Sequence, residues 1–98
     1  MTTNVKMFRR DADRVPYAAQ LVVLRGVQAW FADLYDLSTG GCAIFRPEDW
    51  AVGHDECVQL YFHRGRGAAT CVPARIARIT PSLVGIEYHD PQPVPPCA

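Results

Sequence analysis

Between Tyr17 and His89 every apolar run is short, and each is cut off by glycine, proline or a cluster of charges. That rhythm accommodates strands and leaves no room for a helix longer than a turn or two. Six runs emerge, at residues 17–24, 28–37, 42–45, 57–62, 69–80 and 83–89. Arg25-Gly26 supplies a tight turn after the first run. In the second, Trp30, Ala32 and Leu34 point one way, and Phe31, Asp33 and Tyr35 the other. Val58, Leu60 and Phe62 share a face, as do Val72, Ala74 and Ile76. Pro73 interrupts the fifth run and predicts an edge or a bulge there, and Gly85 predicts close backbone approach in the sixth. Six short strands joined by turns predict an all-β antiparallel barrel or sandwich. Most of Trp30, Phe31, Tyr35, Phe45 and Phe62 are expected in its core. Residues 46–56 read as a loop. Pro47-Glu48-Asp49-Trp50 predicts one helical turn with proline first, and Trp50, set among charges, is the aromatic expected at the surface.

The chain has 98 residues, enough for one domain with a modest core. Its hydrophobic content of 49% excludes global disorder. The expected organisation is a flexible N-terminus at 1–7, a domain at 8–90 and an extended tail at 91–98, with four prolines among residues 91–96. No stretch is long enough to insert in a membrane. Residues 1–8 lack the apolar block of a signal peptide, so a cytoplasmic protein is expected. Ten basic and ten acidic side chains cancel. Binding to DNA or RNA is therefore not expected, because phosphate neutralisation calls for a basic excess. Cys42, Cys57, Cys71 and Cys97 match no zinc spacing, and the first three, in or beside strands, are expected to act as small hydrophobes. His54, His63 and His89 show no ligand spacing either, so no metal and no cofactor is expected. No nucleophile–base arrangement has local motif support, and the chain reads as a non-enzyme.

Two short signatures carry the chemistry. Arg10-Asp11-Ala12-Asp13-Arg14 places two forked cations ahead of the first strand. Nine of the ten basic residues are Arg, the side chain suited to planar, bidentate recognition. Asp36-Leu37-Ser38-Thr39-Gly40-Gly41 closes the second strand. If strand geometry continues there, Asp36 and Ser38 emerge on one face. An ionised Asp accepts two hydrogen bonds side by side, which fits the N–H and amino group of guanine's Watson–Crick edge. An Arg fork fits guanine O6 and N7, or a phosphate. Gly40 and Gly41 lack a Cβ, so the backbone there can take positive φ and let a ligand approach closely.

These signatures, with Val84-Gly85-Ile86-Glu87-Tyr88 and Gly53-His54-Asp55-Glu56-Cys57-Val58, resemble those of the PilZ domain, the bacterial receptor module for cyclic di-GMP. The resemblance runs from about Phe8 to Asp90. It implies a six-stranded antiparallel PilZ-type β-barrel with an irregular N-terminal loop. It also implies that Arg10 and Arg14, with Arg9 beside them, grip guanine and phosphate, that Asp36 and Ser38 bind from the barrel surface, and that Gly40 and Gly41 open the space. Cyclic di-GMP, bound singly or as a stacked pair, would order the loop and signal to an unidentified protein effector in trans. The alternative is a module of the same fold that contacts proteins and binds no nucleotide. Many family members end in a helix. This Pro-rich tail predicts none, which would leave one barrel end open, favour a homodimer over a monomer, or require the partner to cover it.

Overall fold

A computed structural model describes residues 20–62, 69–94 and 96. Six strands form in chain order: β1 Gln20–Arg25, β2 Gln28–Leu37, β3 Gly41–Phe45, β4 Cys57–Phe62, β5 Thr70–Ile79 and β6 Leu83–Tyr88. They close into a barrel in the order β1-β2-β3-β6-β5-β4, with every neighbouring pair antiparallel. Closure satisfies the backbone groups that an open sheet would leave along two edges. Gly26, at φ 61°, makes the two-residue turn between β1 and β2, where Arg25 faces Gln28. Glycine in the first turn position is what this class of hairpin requires.

The inward residues follow the period of two. They are Leu21 and Val23 of β1, Trp30, Ala32 and, beyond a slip, Leu37 of β2, Cys42 and Ile44 of β3, Val58, Leu60 and Phe62 of β4, Val72, Ala74 and Ile76 of β5, and Val84, Ile86 and Tyr88 of β6. No charged or polar residue is buried among the described residues. Pro73 sits within β5 with its side chain outward. Its carbonyl accepts from the His89 amide at 3.0 Å, so its backbone faces the space past the end of β6. The missing N–H is therefore at a local edge. The bulge in β5 lies further on, between Ile76 and Arg78.

Several expectations are corrected. Phe31, Tyr35 and Phe45 are not in the core; they are 72%, 54% and 50% exposed, and Tyr35 and Phe45 meet edge to face at 5.5 Å. Their outward parity leaves them no inner face to enter. Trp50, expected outside, is buried in the barrel end against Trp30, with ring centroids 5.2 Å apart. The Trp30 indole donates to the Asp49 carbonyl at 3.1 Å, which draws the loop over the opening. Pro47–Trp50 closes as a single hydrogen-bonded turn and not as a helix. Cys57 and Cys71 are exposed, and only Cys42 of the three described thiols is buried. Burial pushes the Cys42 thiol up to about 12; a Tyr88 hydrogen bond opposes this and the Asp36 charge adds to it. Cys42 therefore stays neutral, as a small hydrophobe does. The tail is packed: Gln92 donates its amide to Thr39, Val94 rests on the core and Pro96 is buried. Among the described tail residues there is no helix.

The loop is further held by Glu56. It accepts the Gly53 amide at 2.6 Å and pairs with Arg25 at 3.1 Å, while Arg25 lies 5.7 Å from the Trp30 ring centroid. The Gly53 bond first, then Arg25, hold the Glu56 carboxyl below its ordinary range. A lowered folded-state pKa adds stability above the unfolded value and loses it as pH falls through the folded one. In acid denaturation series, Glu56→Gln should therefore flatten the loss of stability below the ordinary glutamate range. Trp50→Ala should cost roughly 3–5 kcal/mol in urea denaturation, because it empties the barrel end and unseats Trp30.

Candidate functional site

The site begins with a slip in β2. Leu34 faces Ile44, yet Asp36 faces Ala43, so one extra residue, Tyr35, is accommodated without a partner of its own. A one-residue slip moves the following side chains to the opposite face. Without it, Asp36 would follow Trp30, Ala32 and Leu34 inward. With it, Leu37 enters the core and Asp36 turns out. Asp36 has no hydrogen-bond or ion-pair partner among the described residues.

The loop after Asp36 is tied down by its backbone. The Ser38 amide and hydroxyl both donate to the Gly41 carbonyl, at 2.9 and 3.1 Å. The Thr39 and Gly40 carbonyls accept from Gln92 and Tyr88 at 2.8 and 2.9 Å. With its proton committed to Gly41, the Ser38 hydroxyl keeps lone pairs that can accept. Neither Gly40 nor Gly41 uses its freedom to take positive φ. Gly41 is required by close approach of the chain to itself: a Cβ there would lie 2.2 Å from the Ile86 carbonyl. Gly40 borders open space.

Asp36, Ser38, Gly40 and Gly41 line one shallow groove of about 440 Å³ that crosses the outer face of β3, β6 and β5. Its floor is made of small residues, Gly41, Ala43, Gly85 and Ala77. Its far side carries Arg75, which lies in none of the signatures, and Glu87, which lies in one that implies no role for it. Arg75 Nη1 donates to Asp55 at 2.7 Å and Nη2 to Glu87. Asp55 is the only described non-glycine residue with positive φ, at 69°. Period-two reading of 72, 74 and 76 as inward already turns Arg75 outward. Its meeting with Glu87 depends on the β5–β6 register, which places the two opposite each other. Arg9, Arg10 and Arg14 lie outside the described residues. Among the described residues no group of three or more His, Cys, Asp or Glu could hold a metal. No described helix is long and apolar enough to cross a membrane.

The described residues thus form a closed six-stranded antiparallel barrel with an Asp-x-Ser-x-x-Gly turn at the mouth of a groove. The PilZ domain family matches residues 8–95, and the chain belongs to that family of cyclic di-GMP receptors. Among solved structures it is similar to the PilZ domain of CeSA from a cellulose-synthesizing bacterium, at 22% identity and a TM-score of 0.64, covering 76% of this chain and 78% of that one. It is also similar to the inhibitor of motility MotI/DgrA of Bacillus subtilis, at 17% identity and a TM-score of 0.64. That match covers 87% of this chain and 44% of the other. At such identities the likeness is one of fold. No curated protein matches the sequence.

Gly41→Ala should destabilise the barrel by about 1–3 kcal/mol in chemical denaturation, because the new methyl meets a strand carbonyl that cannot move aside. Gly40→Ala, in open space, should leave the denaturation midpoint within about 0.5 kcal/mol of wild type.

Proposed function

We propose that this domain is a non-enzymatic receptor for cyclic di-GMP that brings residues 5–16 onto the barrel around the ligand and signals to a protein partner. The observation that carries this reading is the Asp36 carboxylate, unpaired among the described residues and set with Ser38 on the rim of the groove. Asp36 would accept from the N–H and amino group of a guanine, and the Ser38 lone pairs would accept beside it. The described rim carries Asp36 and Glu87 against the single cation Arg75, so it offers little attraction to a ligand with two phosphates. Arg10 and Arg14, with Arg9, would supply that attraction through charge-assisted forks on phosphate and on guanine O6 and N7. Because those contacts exist only with ligand bound, they would favour one arrangement of the segment and so report occupancy.

Isothermal titration of the protein with cyclic di-GMP tests this directly. Saturable binding should fall by about 100-fold or more in Arg10→Ala/Arg14→Ala, from the loss of two charge-assisted bonds at roughly 1.5–3 kcal/mol each. Asp36→Ala should weaken binding while the barrel stays folded. Retained affinity in the double variant would remove the Arg residues from the site.

A second reading has its own support. Phe31, Tyr35 and Phe45 form an exposed aromatic strip on β2 and β3, the kind of surface that proteins use for partners. A nucleotide-independent interaction module would use that strip and leave the groove empty. It requires that folded wild-type protein give no heat with cyclic di-GMP, and that partner capture be indifferent to the nucleotide.

A further inference from the structure

Arg75 is an unusual surface arginine. Two carboxylates from different elements hold it, Asp55 from the loop before β4 and Glu87 from β6. The loop side of that clamp is itself over-determined. The Asp55 amide donates to the Ile76 carbonyl at 2.8 Å, and the Ile76 amide donates to Glu56 at 2.9 Å. Asp55 is held at φ 69°, a conformation that costs a non-glycine residue energy and tends to persist at functional sites. The guanidinium is thus fixed against the groove by both of its terminal nitrogens, with further N–H donors left over.

Its position relative to Asp36 decides what it can touch. The groove runs from β2 across β3 and β6 to β5. The Asp36 and Arg75 backbones lie three strand spacings apart, about 14 Å measured round the curved sheet, and the guanidinium reaches back to Glu87 on β6. Asp36 and Arg75 line the same groove from different strands, so the two bases of one dinucleotide can each meet one of them. The local charge narrows the choice further. With Asp55 and Glu87 on one guanidinium, the cluster is net negative, and a phosphate placed there would be repelled. A neutral base edge with two acceptors is not.

We infer that Arg75 is a specificity-determining residue that reads the O6/N7 edge of the second guanine, while Asp36 holds the first. This rests on the cyclic di-GMP reading above. Guanine presents two acceptors on that edge, whereas adenine presents one acceptor and one donor, so a rigid Arg fork favours guanine. Asp55 and Glu87 act as positioning residues that keep the fork aimed.

The test compares titrations with cyclic di-GMP and with the mixed cyclic GMP–AMP, for wild type, Arg75→Ala, Arg75→Lys and Asp36→Ala. Wild type should prefer cyclic di-GMP by about ten-fold or more, the discrimination of one bidentate base contact. Arg75→Ala should bring the two affinities together by weakening only cyclic di-GMP. Arg75→Lys should not restore the preference, since a point charge cannot fork. A purely structural role for Arg75 would weaken both ligands alike and keep their ratio, and that result overturns the inference while the receptor reading stands. Loss of all binding in Asp36→Ala alongside an unchanged ratio in Arg75→Ala would do the same. No binding of either ligand to folded wild type overturns the receptor reading and this inference with it.

Discussion

The one-residue slip of β2 against β3 is the constraint on which the site depends. In a closed barrel each strand is locked between two neighbours, so side-chain parity cannot be adjusted by fraying at an edge. The extra residue at Tyr35 resolves two demands that a regular strand could not meet together. Leu37 must continue the core beside Cys42, and Asp36 must face solvent. Because the slip also bends the strand, it delivers Ser38 and the glycines to the rim. Gly41 then lets β3 press against the Ile86 carbonyl, and the small residues Ala43, Gly85 and Ala77 leave the outer face low enough to form a groove.

The two barrel ends are closed by different chemistry. At one, Trp50 and Val52 fold inward from the loop after β3, held by Trp30, Arg25 and Glu56. At the other, Val94 and Pro96 of the tail pack beside the 38–41 turn. A helix is not needed for this. Proline-rich backbone already has its conformational freedom reduced, so ordering it costs less entropy than ordering an equal length of ordinary chain. The amides of Tyr88, at the end of β6, and of Gln92, in the tail, consume the Gly40 and Thr39 carbonyls. The 38–41 turn, the end of β6 and the start of the tail are therefore one hydrogen-bonded unit.

Strand positions were legible because alternation of apolar and polar residues is a local property. Val58-Leu60-Phe62 and Val72-Ala74-Ile76 face inward as their spacing requires. The aromatic residues were less legible. Phe31, Tyr35 and Phe45 have core chemistry on outward positions, and Trp50 has a charged neighbourhood in sequence but an apolar one in space. Hydrophobicity states what a side chain would gain by burial, not whether a neighbouring element arrives to bury it. Likewise, Asp36 and Ser38 stood out as a motif, whereas Arg75 and Glu87 are twelve residues apart and meet only through strand register.

By itself, then, the order of residues determined an all-β chain of six strands, the turn that carries Asp36 and Ser38, and membership signatures strung along most of its length. These rest on short-range physics: the period of two, the turn preferences of glycine and proline, and the hydrogen-bonding capacity of named side chains. Only the tertiary structure decided which strands are neighbours, that the sheet closes, that Trp50 plugs it, and that Arg75 is clamped opposite Asp36. Those outcomes depend on register and on contacts between residues distant in the chain, and such contacts acquire their energy only once the barrel has formed.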